Sequence, residues 1–118
     1  MTDYNKIADI LETAADVIER DGHAKFAAED GIGQKCATGA INVAIMGEAH
    51  GFSWYLGGKA CKVVCEALEL SYTSYANNND YIFAVVDWNN ADSTTAQEVI
   101  DGLRKSAKLA LRKADGND

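Results

Sequence analysis

The sequence predicts a mainly α-helical fold, a compact bundle of about four helices, from three observations. Apolar residues recur at the i, i+3, i+4, i+7 spacing of one helical face in several segments. Capping residues flank these segments, and the chain contains no proline that would interrupt a helix. A chain of 118 residues can bury one hydrophobic core, so residues 1–118 are expected to form a single domain.

The first helix is predicted to run from Asp3 to Arg20. Thr2 or Asp3 is suited to cap its start, and Gly22 can end it because glycine readily adopts a positive φ. Its expected buried face consists of apolar residues three or four positions apart: Ile7, Ile10, Leu11, Ala14, Val17 and Ile18.

A connector and a second helix follow. Asp30-Gly31 is typical of a turn, and a short β-hairpin that pairs Ala24–Ala27 with Gln34–Cys36 is an optional element after the first helix. The second helix is predicted from Ala37 to Met46, with small residues on one face that would let a neighbouring helix approach closely.

The second half of the chain predicts two further helices and one ambiguous segment. Lys59–Tyr72 and Ala96–Lys113 both carry an apolar stripe, and Thr94 or Thr95 is suited to cap the second of them through a capping box. Tyr81–Trp88 is mostly apolar and in part β-branched, so its periodicity fits either a buried strand or a short buried helix.

The net charge of −7 narrows the classes of partner. Phosphate backbones and anionic membrane surfaces repel an acidic protein, so neither nucleic acid nor a membrane is an expected partner. The first residues lack the pattern of a secretory signal, and the three cysteines, an odd number, indicate free thiols in a reducing compartment. We therefore expect a cytoplasmic protein.

The cysteines are the candidate metal ligands. Cys61 and Cys65 stand four residues apart on one helical face, and with Cys36 and a histidine they could form a tetrahedral zinc site. The same two cysteines also fall on an apolar stripe, where free cysteine acts as a small hydrophobic residue. Because no paired C-x-x-C motif is present, we predict no metal site and no cofactor.

One catalytic alternative stays open. Cys36 precedes a helix, whose N-terminal dipole would stabilise a thiolate. Either His50 or His23 could act as its base and Asp87 as the orienting group, in a small cysteine-dependent hydrolase or a ligand-binding enzyme that uses Cys36, His50 and Asp87. The spacing of these residues does not require such an arrangement, so the leading prediction names no catalytic residue.

Aromatic residues and one asparagine are the candidate binding residues. Phe52, Trp54 and Tyr55 lie in a glycine-bounded stretch, His50–Gly58, that is predicted to be a surface connector. Exposed aromatic residues of this kind are enriched at protein interfaces. Asn89, which follows a tryptophan just before a helix, is suited either to binding a ligand or to satisfying loose backbone groups.

Three stretches together resemble a family of uncharacterised small proteins of actinobacteria and their bacteriophages. They are residues 14–19, the Cys-x-x-Gly-Ala pattern at residues 36–40, and Trp-Asn-Asn at residues 88–90 ahead of the Thr-x-x-Glu helix start at residues 95–98. The chain departs from the family at His23, where an aromatic residue is usual, and at Asn90, where aspartate is usual.

The resemblance covers residues 7–112 and implies a source and a compartment, but no activity. We therefore expect a small cytoplasmic binding or regulatory protein without catalytic activity, encoded by a phage and acting on a host or phage protein. Homodimerisation through the aromatic stretch is an alternative mode of interaction.

Overall fold

The chain forms five α-helices in the part that the computed structural model describes, which is residues 2–51, 53–70 and 78–116, with the backbone alone for Trp54, Asn78 and Asn79. The helices are α1 (Tyr4–Asp21), α2 (Ala37–Met46), α3 (Trp54–Leu68), α4 (Asn78–Asn90) and α5 (Ala96–Ala114). The mainly α-helical prediction is confirmed. The predicted number of about four is corrected to five, because residues 81–88 belong to a full helix, α4.

Capping residues near in sequence determine one end each of α1, α2 and α5. The Asp3 carboxylate accepts a hydrogen bond from the Lys6 N–H at 3.1 Å, and the Thr95 hydroxyl accepts one from the Glu98 N–H at 3.1 Å. At the end of α2, Gly47 adopts the left-handed conformation with a φ of 85°. The sequence therefore predicts α1, α2 and α5 to within one residue.

Helix α3 begins earlier and ends earlier than the predicted Lys59–Tyr72. Gly57 and Gly58, expected in a connector, are buried within its first turns. Tertiary packing at these glycines outweighs their low helix propensity. The helix ends at Leu68 because Glu69 takes a left-handed conformation with a φ of 53°.

The segment between α1 and α2, residues 22–36 (the connector), forms isolated bridges rather than the predicted hairpin. Lys35 lies between two backbone segments: it bridges His23 in parallel and Glu29 in antiparallel orientation. The Ala24 N–H bonds to the Lys35 carbonyl at 2.8 Å, and the Cys36 N–H bonds to the Ala28 carbonyl at 3.2 Å. Because Lys35 is paired on both sides through isolated bridges, the two predicted arms do not form a regular hairpin ladder.

The buried apolar residues of all five helices form one cluster. Helix α1 packs most extensively on α5 and then on α2, while α3 packs on α4 and α5. The largest side chains at the centre of the cluster are Ile7, Leu11, Ile18, Ile41 and Leu103. Across the described ranges, no helix combines the length and the apolar character required to cross a membrane.

Candidate functional site

Asn89 joins the end of α4 to the connector and to the start of α2. Its side chain is 1% exposed, and its amide makes four hydrogen bonds. The Oδ1 atom accepts from the Ala37 N–H at 2.9 Å and from His23 Nε2 at 2.7 Å. The Nδ2 atom donates to the Ala24 carbonyl at 3.0 Å and to Asn90 Oδ1 at 3.0 Å. Since an amide offers two lone pairs and two N–H groups, its hydrogen-bonding capacity is fully used.

Asn90 continues this network to Phe26 on the connector. Its Oδ1 atom accepts a hydrogen bond from the Phe26 N–H at 2.9 Å. Phe26 has a φ of 64°, a left-handed conformation that costs a residue with a Cβ about 1–2 kcal/mol. Its side chain is nevertheless 79% exposed, so packing of the phenyl ring does not offset this cost. The hydrogen bond from the Phe26 N–H to Asn90 Oδ1 and the one from Lys25 Nζ to the Ala91 carbonyl hold this part of the connector.

Gly39 lets the connector lie directly on α2. A Cβ atom built at this position would fall 2.1 Å from the Ala28 carbonyl oxygen, a distance at which two atoms overlap. Beside this contact Cys36 caps α2: its Sγ atom accepts a hydrogen bond from the Gly39 N–H at 3.2 Å and lies 3.2 Å from Thr38 Oγ1. Cys36 and Thr38 are both buried. The base of the site is therefore rigid backbone with small side chains.

An open cleft of about 340 Å³ lies between the connector and α4. Helix α4 extends the apolar lining of the cleft toward the N-terminal end of the helix. Phe83, Val86 and Asn90 share one face of α4, and Phe83 is 48% exposed. We call this cleft, together with the exposed rings of Phe26 and Phe83, the Phe26 surface. The residues that line the cleft are mostly apolar or small: Phe26, Ala27, Ala28, Cys36, Thr38, Val86, Asn89 and Asn90.

The site offers shape and apolar surface rather than reactive groups. Within the described part of the chain, every buried side-chain nitrogen or oxygen atom has a hydrogen-bond partner. None of these buried atoms is therefore an unpaired donor or acceptor for a ligand. The cleft can accommodate an apolar side chain between the connector and α4.

The structure does not bring Cys36, His50 and Asp87 together. Cys36 begins α2, whereas the His50 carbonyl accepts a hydrogen bond from Asn42 at 3.2 Å, beyond the first turn and a half of that helix. Asn42 lies about 9 Å along the helix axis from Cys36 and on a different face. Asp87 and His50 are both exposed, and Cys36 is buried. Among the described residues, the partners of Cys36 Sγ are Thr38 Oγ1 and the Gly39 N–H, and no hydrogen bond links the Cys36, His50 and Asp87 side chains.

The predicted aromatic connector forms the start of α3 from Trp54 onward, and Asn42 holds the residues that precede the helix. This fully buried asparagine has the Glu48, His50 and Gly51 carbonyls within hydrogen-bond distance of Nδ2, whose two N–H groups they share, and its Oδ1 accepts from the Ser53 N–H at 3.3 Å. Of the candidate binding residues in this stretch, Tyr55 lies in the first turn of α3 and is 60% exposed. Phe52 lies outside the described residues, as does the side chain of Trp54.

Cys61 and Cys65 lie in the core cluster. Burial raises the pKa of the Cys61 thiol well above its usual range and raises the pKa of Cys65 to about 11. Among the described residues, no group of three or more His, Cys, Asp or Glu side chains is placed to hold a metal ion. That the protein uses no metal or cofactor stays a prediction.

Phe26, Ile32 and Asn42 are not among the site residues predicted from the sequence. Phe26 and Ile32 are about equally exposed, at 79% and 80%, and both lie in a connector where glycine and charged residues dominated the interpretation. A large apolar residue inside a polar connector was the available signal for both. Asn42 carried a signal too, because a polar residue on the small-residue face of a helix must find partners when it is buried.

Comparison with known proteins places the chain in a family. A family model described as DUF6197, a family of unknown function, matches residues 2–109, and the chain belongs to that family. No curated protein and no solved structure matched the chain. Two of the stretches on which the family resemblance rested, residues 36–40 and 88–90, meet at the candidate site, where the Ala37 N–H bonds to Asn89.

Proposed function

We propose that this member of DUF6197 is a protein-binding module without catalytic activity, and that it binds its partner through the Phe26 surface. The observation that carries the proposal is an exposed phenyl ring on a left-handed backbone that the Asn89–Asn90 network holds in place. In keeping with the sequence, the protein acts in the cytoplasm as a small regulatory protein of an actinobacterial phage, on a host or phage protein.

Two physical arguments support binding at Phe26. Strained backbone conformations persist where the surrounding structure enforces them, and they concentrate at binding and active sites. Large aromatic side chains that dock in pockets contribute much of the binding free energy at protein interfaces. At Phe26 the strain serves no packing purpose within the chain, because the ring faces solvent.

The cysteine-hydrolase alternative and the homodimer through the aromatic stretch receive less support. Cys36 and His50 belong to different ends of α2, and Tyr55 of the aromatic stretch lies on a helix rather than on a free connector. The acidic charge of −7 continues to disfavour nucleic acid as a partner.

Affinity capture with a matched pair of variants tests the proposal. Wild type, Phe26→Gly and Glu69→Gly are immobilised at equal density and exposed to a lysate of the natural host bacterium. The bound proteins are quantified by mass spectrometry. Both variants remove a side chain from a left-handed residue, but only the first alters the Phe26 surface.

We expect at least one protein to bind wild type and Glu69→Gly equally and to be depleted about tenfold or more on Phe26→Gly, as the loss of a hot-spot side chain implies. Equal capture of every protein by all three forms would show that the Phe26 surface is not the binding site.

A further inference from the structure

The border of the Phe26 surface along α4 carries negative charge. Asp87 lies four residues after Phe83 and therefore shares its helical face. Its side chain is exposed and has no ion-pair partner among the described residues. A partner that covers Phe83 must therefore place a group next to an uncompensated carboxylate.

The C-terminal end of α4 adds to this charge. Asp92 follows the helix, is exposed, and also lacks an ion-pair partner within the described ranges. The last carbonyls of a helix carry a partial negative charge, which favours cations nearby. Lys25 donates to the Ala91 carbonyl and brings one positive charge to this helix end, against the two carboxylates of Asp87 and Asp92.

We propose that the partner is a basic protein segment, which inserts an apolar side chain into the cleft and places lysine or arginine beside Asp87 and Asp92. This inference rests on the proposed function and specifies the chemistry of the partner. The cleft, at about 340 Å³, lies at the small end of the range for ligand pockets, which suits an apolar side chain better than a large cofactor.

Charge also decides against a second copy of the chain as the occupant. Two copies, each with a net charge of −7, repel one another, and a symmetric contact at this surface would bring the Asp87 and Asp92 carboxylates of both copies to one interface. A basic segment instead gains attraction at the same positions, and its association rate should fall as salt screens that attraction.

A displayed library of random dodecapeptides, panned on the immobilised wild-type protein, tests the inference. The enriched peptides are synthesised, and their Kd values are measured at low and at physiological salt for wild type, Phe26→Gly and the double variant Asp87→Asn/Asp92→Asn. The control is the single variant Asp9→Asn, whose exposed carboxylate lies on α1, which contributes no residue to the lining of the cleft.

We expect the enriched peptides to combine an apolar residue with flanking lysine or arginine. Their Kd should rise about tenfold or more on Phe26→Gly, about three- to tenfold on the double variant at low salt, and less than about twofold on Asp9→Asn. The effect of the double variant should shrink at higher salt.

Three outcomes would overturn the inference, and they are distinguishable. If Phe26-dependent peptides are neutral or acidic, or if the double variant behaves like Asp9→Asn, the basic partner is wrong while binding at the Phe26 surface stands. If no enriched peptide depends on Phe26, the proposed function fails as well. If the protein alone self-associates in sedimentation and Phe26→Gly abolishes this, the occupant is a second copy.

Discussion

Two residues with side chains, Phe26 and Glu69, adopt a positive φ within the described part of the chain. Both are exposed, but they arise differently. Glu69 ends a helix, a place where a left-handed residue is common. Phe26 ends no helix, and the hydrogen bond from its own N–H to Asn90 holds it in this conformation. A strained residue that closes no element motivates the hypothesis of a binding role at Phe26.

We expect Phe26→Gly to leave the free energy of unfolding unchanged or to raise it by up to about 1 kcal/mol, because glycine adopts a positive φ without steric cost. Truncation of a core aromatic residue would instead lower it by about 3–5 kcal/mol. Urea denaturation followed by circular dichroism measures the difference, with Glu69→Gly as the reference for relief of strain alone. A loss of more than about 2 kcal/mol would mean that the ring contributes to packing.

Asn89→Ala should be strongly destabilising, by about 2–4 kcal/mol, because it leaves the Ala37 N–H and the Ala24 carbonyl without partners in a buried site. Asn90→Ala should cost less, since Asn90 is only partly buried and the Phe26 N–H can turn to water. Chemical denaturation of both variants gives the comparison. Equal, small effects would contradict the structural role of Asn89.

The pKa of the Asp21 carboxyl lies well below its usual range, chiefly because Arg20 donates hydrogen bonds to it and secondarily because Lys35 lies beside it. A group with a depressed pKa stabilises the fold above its unfolded pKa, about 3.9 for aspartate, and loses that effect as the pH falls toward its folded pKa. The difference in Tm between wild type and Asp21→Asn should therefore be constant from pH 5 to 7 and shrink below about pH 4. A constant difference down to pH 2 would argue against this pairing.

At the scale of elements, prediction from the sequence succeeds where the determinants are local. Asp3, Gly47 and Thr95 act within a few residues of themselves, so α1, α2 and α5 could be located. The start of α3 depends on Asn42 holding Ser53 and on burial of two glycines, which propensity alone does not reveal. The candidate site could be anticipated only in part: Asn89 stood out by its position, whereas the conformation of Phe26 depends on a residue 64 positions away.

The Gly39→Ala variant distinguishes the effect of helix propensity on the free energy of unfolding from the effect of packing. Propensity alone would make alanine more stable by about 1 kcal/mol inside a helix. The added Cβ would instead meet the Ala28 carbonyl, which belongs to backbone and cannot rotate away, so we expect a loss of at least about 2 kcal/mol. Gly31→Ala is the control, because a Cβ there meets no atom within 4 Å. A stabilised Gly39→Ala variant would show that the connector does not lie on α2.

At the scale of the whole molecule, the three cysteines report on the integrity of the core. Cys61 is fully buried, Cys65 and Cys36 are at most 7% exposed, and all three are free thiols. We expect a thiol reagent at neutral pH to label the native protein only at the rate at which it opens, and to label three thiols at once in denaturant. Rapid labelling of native Cys36, located by peptide mapping, would instead identify a reactive thiol and revive the catalytic alternative.

The large sequence separation between Asn89 and its hydrogen-bond partners has a consequence for the order of folding. Its partners and those of Asn90 on the connector and α2 lie 52 to 66 residues earlier in the chain. Contacts at such separations carry a loop-closure cost and form after local helices. During synthesis, the connector emerges long before the residues that fix it, so the Phe26 surface matures only when α4 has been made. Pulse-labelled hydrogen exchange during refolding should accordingly find the Phe26 and Ala37 amides protected no earlier than those of α4.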